Sequence, residues 1–306
     1  DFSSITQGAY SASGANGITL TGAGIAVTNK LTMMASSNWT AINSTATLLE
    51  GKTINITGNS TSSRALSFNG GASGTTIHAL DNGGSSTVSG VASGIATDAA
   101  TMFEGVMNVK ADYGSTLEVS GTASTPRANY YQNTRGFRLQ DGNTTTTDGT
   151  VTLKGVSKSS DGFLLSMSAL KVNSGTLTID ATTQATGNDS GQAGFNTNGG
   201  SINVLSGHSL VIKGLAANTN INLMQAETGV NLGVGITGAA GSSLTIQGAA
   251  SSYGNSNGVN IGGAIQGFNN VTILGQNLRG SNGNAVYLNS TLSATGNVLV
   301  QSNGGR

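Results

Sequence analysis

The densest group of chemically capable side chains lies in Thr125-Pro-Arg-Ala-Asn-Tyr-Tyr-Gln-Asn-Thr-Arg-Gly-Phe-Arg138. It holds the single proline, three of the six arginines (Arg127, Arg135, Arg138) and the adjacent pair Tyr130 and Tyr131. Guanidinium forks bind carboxylate or sulfate through paired N–H bonds, and tyrosine rings offer large amphipathic faces. Arg127, Tyr130, Tyr131, Arg135 and Arg138 are therefore the candidate ligand contacts, because loops on a rigid scaffold usually carry function. The competing reading is a connecting loop whose Arg and Tyr stems cover the flank of the fold.

Nothing comparable exists for catalysis. A glycoside-cleaving site needs two facing carboxylates, and a calcium site needs several convergent oxygens. Here Glu50, Glu104, Glu118, Glu227, Asp161 and Asp180 are scattered. Asp141 and Asp148 come nearest to a pair; they flank Thr144–Thr147, and the segment reads as a tight polar turn or, alternatively, a cation site. His78 and His208 sit among β-forming residues and are expected on the wall or surface, without a triad. No GxxxxGK[ST] phosphate loop is present. The expectation is a non-enzyme without cofactor or metal. Trp39 reads either as packing near the amino-terminal end of the core or as a sugar-stacking ring. Met33 and Met34 read as core or cap.

The elements that hold these residues follow from a repeat. An apolar–polar–apolar–polar–Gly phrase recurs as Ile18–Gly22, Ile54–Gly58, Leu117–Gly121, Val151–Gly155, Leu210–Gly214, Leu244–Gly248 and Val271–Gly275. Leu177–Ala181 replaces the Gly, Ser86–Gly90 is a weaker copy, and Val298–Val300 opens a last one. Period-two alternation points Leu244 and Ile246 inward and Thr245 and Gln247 outward. Copies recur roughly every 30 residues, with further short strands between them, such as Val259–Ile261 and Val286–Leu288.

This pattern predicts an all-β fold: a right-handed parallel β-helix (β-solenoid) of about ten coils with three short strands per coil. The closing Gly is expected at a corner, where φ is positive or a Cβ has no room. Longer cycles need added loops, as at Ala216–Asn220 or Asp189–Asn198. Residues 1–306 form one β-helical domain, looser over 1–150 and regular over 151–306. An antiparallel barrel is the alternative fold; it fits poorly because barrels lack a stepwise period ending in the same Gly.

Composition narrows the classes further. Charged residues make up 8% of the chain, and the net charge is zero. That gives no electrostatic footprint for nucleic acid. There is no cysteine, which excludes disulfides and thiolate metal sites and suits an exported bacterial protein. No apolar run approaches the roughly 18 residues of a transmembrane helix. The chain reads as a fragment of a larger protein.

The phrases resemble the repeat region of filamentous-haemagglutinin-type exoproteins of two-partner secretion. The resemblance is carried by Gly241–Gly248, Asn257–Gly263, Phe268–Gly275 and Asn284–Leu292. It is clear over about 150–306 and looser before. The family's amino-terminal secretion domain with its Asn-Pro motifs is not seen, since Pro126 follows Thr125. The resemblance implies an extracellular or cell-surface adhesin segment acting as stalk and binding surface. Its implied partners are a receptor on host or neighbouring cells, glycan or matrix, with an outer-membrane transporter during export. Two alternatives stay open: a filament-forming subunit with head-to-tail self-association through open coil ends, and a β-helical carbohydrate-active enzyme.

Overall fold

A computed structural model describes residues 5–10, 17–22, 24–80, 83–94, 98–126, 134–184, 192–217, 227–251, 255–278 and 283–304, with side chains from residue 17 onward except Thr147. No described residue is helical. The strands form an eleven-stranded and an eighteen-stranded sheet, and every pairing between described strands is parallel. This is the arrangement expected of a parallel β-solenoid, built from residues with β propensity and short polar connections.

The first sheet stacks one strand from each cycle, among them Thr53–Ser60, Ser85–Ala92, Thr116–Ala123, Thr150–Ser157, Thr176–Thr183, Ser209–Ala216, Ser243–Ala250 and Asn270–Asn277. Their register places Leu117, Val151, Leu177, Leu210, Leu244 and Val271 in one column. All six are buried, as are Ile246 and Ile273. The inward assignment of the repeated phrase therefore holds. Pairing also continues across residue 150 without a shift, through Thr116–Ala123 and Thr150–Ser157.

One copy of the phrase sits elsewhere. Ile18–Gly22 pairs with Ile42–Ala46 in the second sheet. The first-sheet strand of that cycle is Lys30–Ser37, where Ala35 lies opposite Gly58. Within it Met33 is fully buried, whereas Met34 points outward and is 46% exposed, so Met34 is neither core nor cap.

Gly22 ends its strand with a φ of 79°, as expected of a corner, but most closing glycines are not at one. Gly121, Gly155, Gly214, Gly248 and Gly275 lie inside eight-residue strands that run two residues further. None of these five has a positive φ. What they lack is room. A Cβ on Gly155, Gly214 or Gly248 would lie 2.1, 2.0 and 2.0 Å from the backbone oxygens of Gly162, Gly229 and Gly258. Those second-sheet glycines meet the first sheet in turn, at Thr182, Ala249 and Gln276. A seam of glycine on glycine thus lets the two sheets close on each other.

Left-handed backbone serves a different corner, inside the second sheet. Register places Gly105, Asp141, Met167 and Gly199 one step beyond the aligned Glu104, Gln140, Ser166 and Asn198. Their φ values are 74°, 48°, 51° and 77°. The same turn in successive cycles explains why two non-glycine residues adopt that conformation, with Met167 left 70% exposed. Beneath this sheet Phe68, Phe103, Phe137, Phe163 and Phe195 stack as neighbouring rings, with centroids 4.9–5.6 Å apart. The expected loop at Asp189–Asn198 is corrected in part, because Ala193–Val204 is a strand. Residues 185–191 and 218–226 lie outside the described residues.

Adding a methyl group at the seam tests its tightness. Gly248→Ala should lower stability by about 2–3 kcal/mol, the upper range for forcing atoms into a packed interior. Gly235→Ala, whose Cβ would meet nothing nearer than 3.5 Å, should change it by under about 0.5 kcal/mol. Denaturant midpoints of the two variants measure the contrast.

Candidate functional site

In-register stacking brings distant charges together on the outside of the second sheet. Arg64 precedes the strand Leu66–Asn69, Asp98 precedes Ala99–Glu104, and Arg135 and Arg138 lie on Arg135–Gln140. Asp161 precedes Phe163–Val172. Because these strands lie side by side, Asp98 accepts from two arginines. Arg64 Nε donates to Asp98 Oδ2 at 3.0 Å, with a second bond from Arg64 Nη2, and Arg138 Nη1 donates to Asp98 Oδ1 at 2.7 Å. Arg135 Nε stands 3.7 Å from Asp161 Oδ2, an ion pair longer than a hydrogen bond.

The column continues as amides. Asp161 Oδ1 accepts from the Ala193 backbone N–H at 2.9 Å and from Asn196 Nδ2 at 3.3 Å. Asn231 Nδ2 then donates to Asn196 Oδ1 at 2.9 Å, and Asn260 Nδ2 to Asn231 Oδ1 at 2.8 Å. Asn196 and Asn231 both give and receive along the stack and Asn260 gives at its end, so the ladder extends from charged groups to neutral ones.

The electrostatics of the two carboxylates differ. Burial raises the Asp98 carboxyl, but the hydrogen bond from Arg138 and the charges of Arg64 and Arg138 outweigh it and hold the group below its ordinary value. Asp161 moves the other way: burial dominates and raises it, against the Ala193 N–H, Arg135 and Asn196. Burial also lowers Arg135, opposed chiefly by Asp161. Three guanidiniums face two carboxylates, leaving one positive charge in excess. The buried Nε atoms of Arg135 and Arg138 have no hydrogen-bond acceptor. The cluster is an electropositive spot, and these two Nε atoms are shielded from solvent.

A second polar chain lies on the neighbouring face. His78 Nδ1 is 2.8 Å from Glu50 Oε2, and His78 Nε2 is 2.8 Å from Asp112 Oδ1. Lys110 Nζ lies 3.8 Å from Asp112 Oδ1 and 3.7 Å from Asp148 Oδ2. With both ring nitrogens engaged, His78 has none left for a substrate proton. The histidine is a wall residue, as expected, but its partners come from cycles that sequence reading did not connect.

Of the expected contacts, Arg135 and Arg138 share one cluster, while Arg127, Tyr130 and Tyr131 lie outside the described residues. Arg64, Asp98 and Asp161 were not foreseen as their partners. Arg64 and Arg138 stand 34 and 40 residues from Asp98, which is about one cycle each way. That spacing is the one sequence signal that could have joined them. Asp141 and Asp148 are corrected: Asn143–Thr147 between them is a strand, not a tight turn. An extended segment of that length holds its ends on the order of 20 Å apart, too far for one shared cation. Among the described residues no three His, Cys, Asp or Glu side chains group as metal ligands. Trp39 is 51% exposed and so does not pack as core. Comparison with family models, curated proteins and solved structures finds no match for this chain.

The two aspartates should respond unequally to neutralisation. Asp98→Asn leaves two partly buried guanidiniums without their counter-charge and should cost about 3 kcal/mol at pH 7. Asp161→Asn keeps an oxygen for the Ala193 N–H and removes a carboxylate that burial disfavours, but it strands the buried Arg135, so it should cost about 1–2 kcal/mol, less than Asp98→Asn. The Asp98 contribution is present above the ordinary carboxyl value near about 4 and fades as pH falls through its lowered value. The raised Asp161 carboxyl works in reverse, its contribution fading as pH rises through that value. Urea unfolding of both variants from pH 2.5 to 7 checks size and sign together.

Proposed function

We propose that the chain is a non-catalytic, surface-exposed segment of a large secreted bacterial adhesin, serving as stalk and binding surface. In this reading the two sheets belong to a right-handed β-helix of about ten coils, a rod on the order of 50 Å long. The rod is exported through an outer-membrane transporter and displayed outside the cell. The observation that carries the binding role is the cluster of Arg64, Arg135 and Arg138 around Asp98 and Asp161, three guanidiniums against two carboxylates, with its excess positive charge. Its ligand is an anionic group, a carboxylate or sulfate on a host or neighbouring-cell glycan or matrix chain. Arg127, Tyr130 and Tyr131, just before it in sequence, are the proposed further contacts.

A variant with Arg127, Arg135, Arg138, Tyr130 and Tyr131 changed to Ala tests this reading against heparin, chondroitin sulfate and sialylated glycans. Binding should weaken at least tenfold, with Arg135→Ala alone giving part of the loss. Equal binding by the variant and the parent chain would remove the site.

A further inference from the structure

The outer face of the first sheet carries a groove that the arginine cluster does not explain. It is a largely open trough of about 540 Å³ across the last five strands, within the size range of ligand sites. Register defines its walls. One column runs Asp180, Lys213, Gln247, Leu274 and Gln301, and the other runs Leu215, Ala249, Gln276 and Asn303. Gly214, Gly248 and Gly275, whose inward side carries no Cβ, form the backbone strip between the columns.

These amides behave differently from the asparagine ladder. Asn196, Asn231 and Asn260 satisfy one another at 2.8–2.9 Å. The side chains of Gln247, Gln276, Gln301 and Asn303 make no hydrogen bond within the described protein, and Lys213 makes no ion pair. Four amides, each both donor and acceptor, thus face one depression with their hydrogen bonds unused. Leu215, Leu274 and Ala249 supply apolar contacts between them.

We propose that this groove binds a neutral glycan chain lying along the stack of strands. Hydroxyl-rich rings with apolar C–H faces match alternating amides and aliphatic side chains. Equivalent positions recur about every 4.8 Å, a repeat suited to an extended polymer of similar subunits. Asp180 pairs with Lys154 at 4.0 Å, so Lys213 is the one uncompensated charge, and the groove has no guanidinium fork for a carboxylate or sulfate. One lysine is too little for nucleic acid. A peptide adding as a strand would pair with backbone N–H and C=O groups, whereas this groove is built from outward side chains on the face of the sheet. The site is separate from the arginine cluster, and its ligand class differs.

The test is a binding screen of the whole chain against neutral probes: dextran, laminarin, mannan and galactomannan oligosaccharides. Heparin and polygalacturonate are the charged comparators. At least one neutral chain should bind, and Gln247→Ala/Gln276→Ala should weaken it tenfold or more. Ala249→Trp, which fills the groove from an outward position, should abolish it. Thr122→Ala, outward on the same sheet several strands away, should leave it unchanged. Matching unfolding midpoints show that the variants fold. Failure of every neutral probe to bind, unchanged binding by the double variant, or preference for the polyanions would overturn the proposal. Loss of polyanion binding in the arginine variant bears only on the other site.

Discussion

Every feature of this protein depends on parallel strands stacking in register, so that each residue lies about 4.8 Å from its counterpart in the next cycle. A column must be compatible with copies of itself. Apolar columns meet this condition easily, since Leu, Val and Ile pack on Leu, Val and Ile. The phenylalanine rings from Phe68 to Phe195 do the same with larger faces. Glycine meets it where no side chain fits, at the seam between the sheets.

Polar columns obey the same condition through complementarity. Like charges one above another would repel, and the observed neighbours alternate: Arg64, Asp98, Arg138 in one line, Glu50, His78, Asp112 in another. Neutral amides solve the problem by donating in one direction and accepting in the other, as Asn196 and Asn231 do. Where a polar column leaves this pattern, bonding capacity remains for a ligand. The excess guanidinium charge around Asp98 and Asp161 is one such place, and the unused amides around Gln247 and Gln276 are another.

The sequence made much of the fold legible because burial on one face writes itself as period-two alternation. It misled where alternation alone was taken for position. Ile18–Gly22 has the phrase but pairs in the second sheet, while Lys30–Ser37, whose Ala35 replaces the Gly, takes the first-sheet place. Asn143–Thr147 looked like a turn between two aspartates because its residues are polar. Thr144 and Thr146 are nonetheless buried, in register with Met107 and Val109. The candidate site was half legible. Arg135 and Arg138 stood out by local density, whereas Arg64, Asp98 and Asp161 belong to it only through neighbouring strands.

By itself the sequence determined the strand character, the inward face of each repeated phrase and the cycle length of the stack. These are local properties, fixed by side-chain alternation and by hydrophobic burial. Only the tertiary structure decided which polar residues meet. Cycles differ in length, so a partner lies 34 residues away in one case and 40 in another. It also decided what the closing Gly is for, because its constraint comes from a backbone oxygen of the opposite sheet. No local pattern records that approach, which exists only once the two sheets have closed.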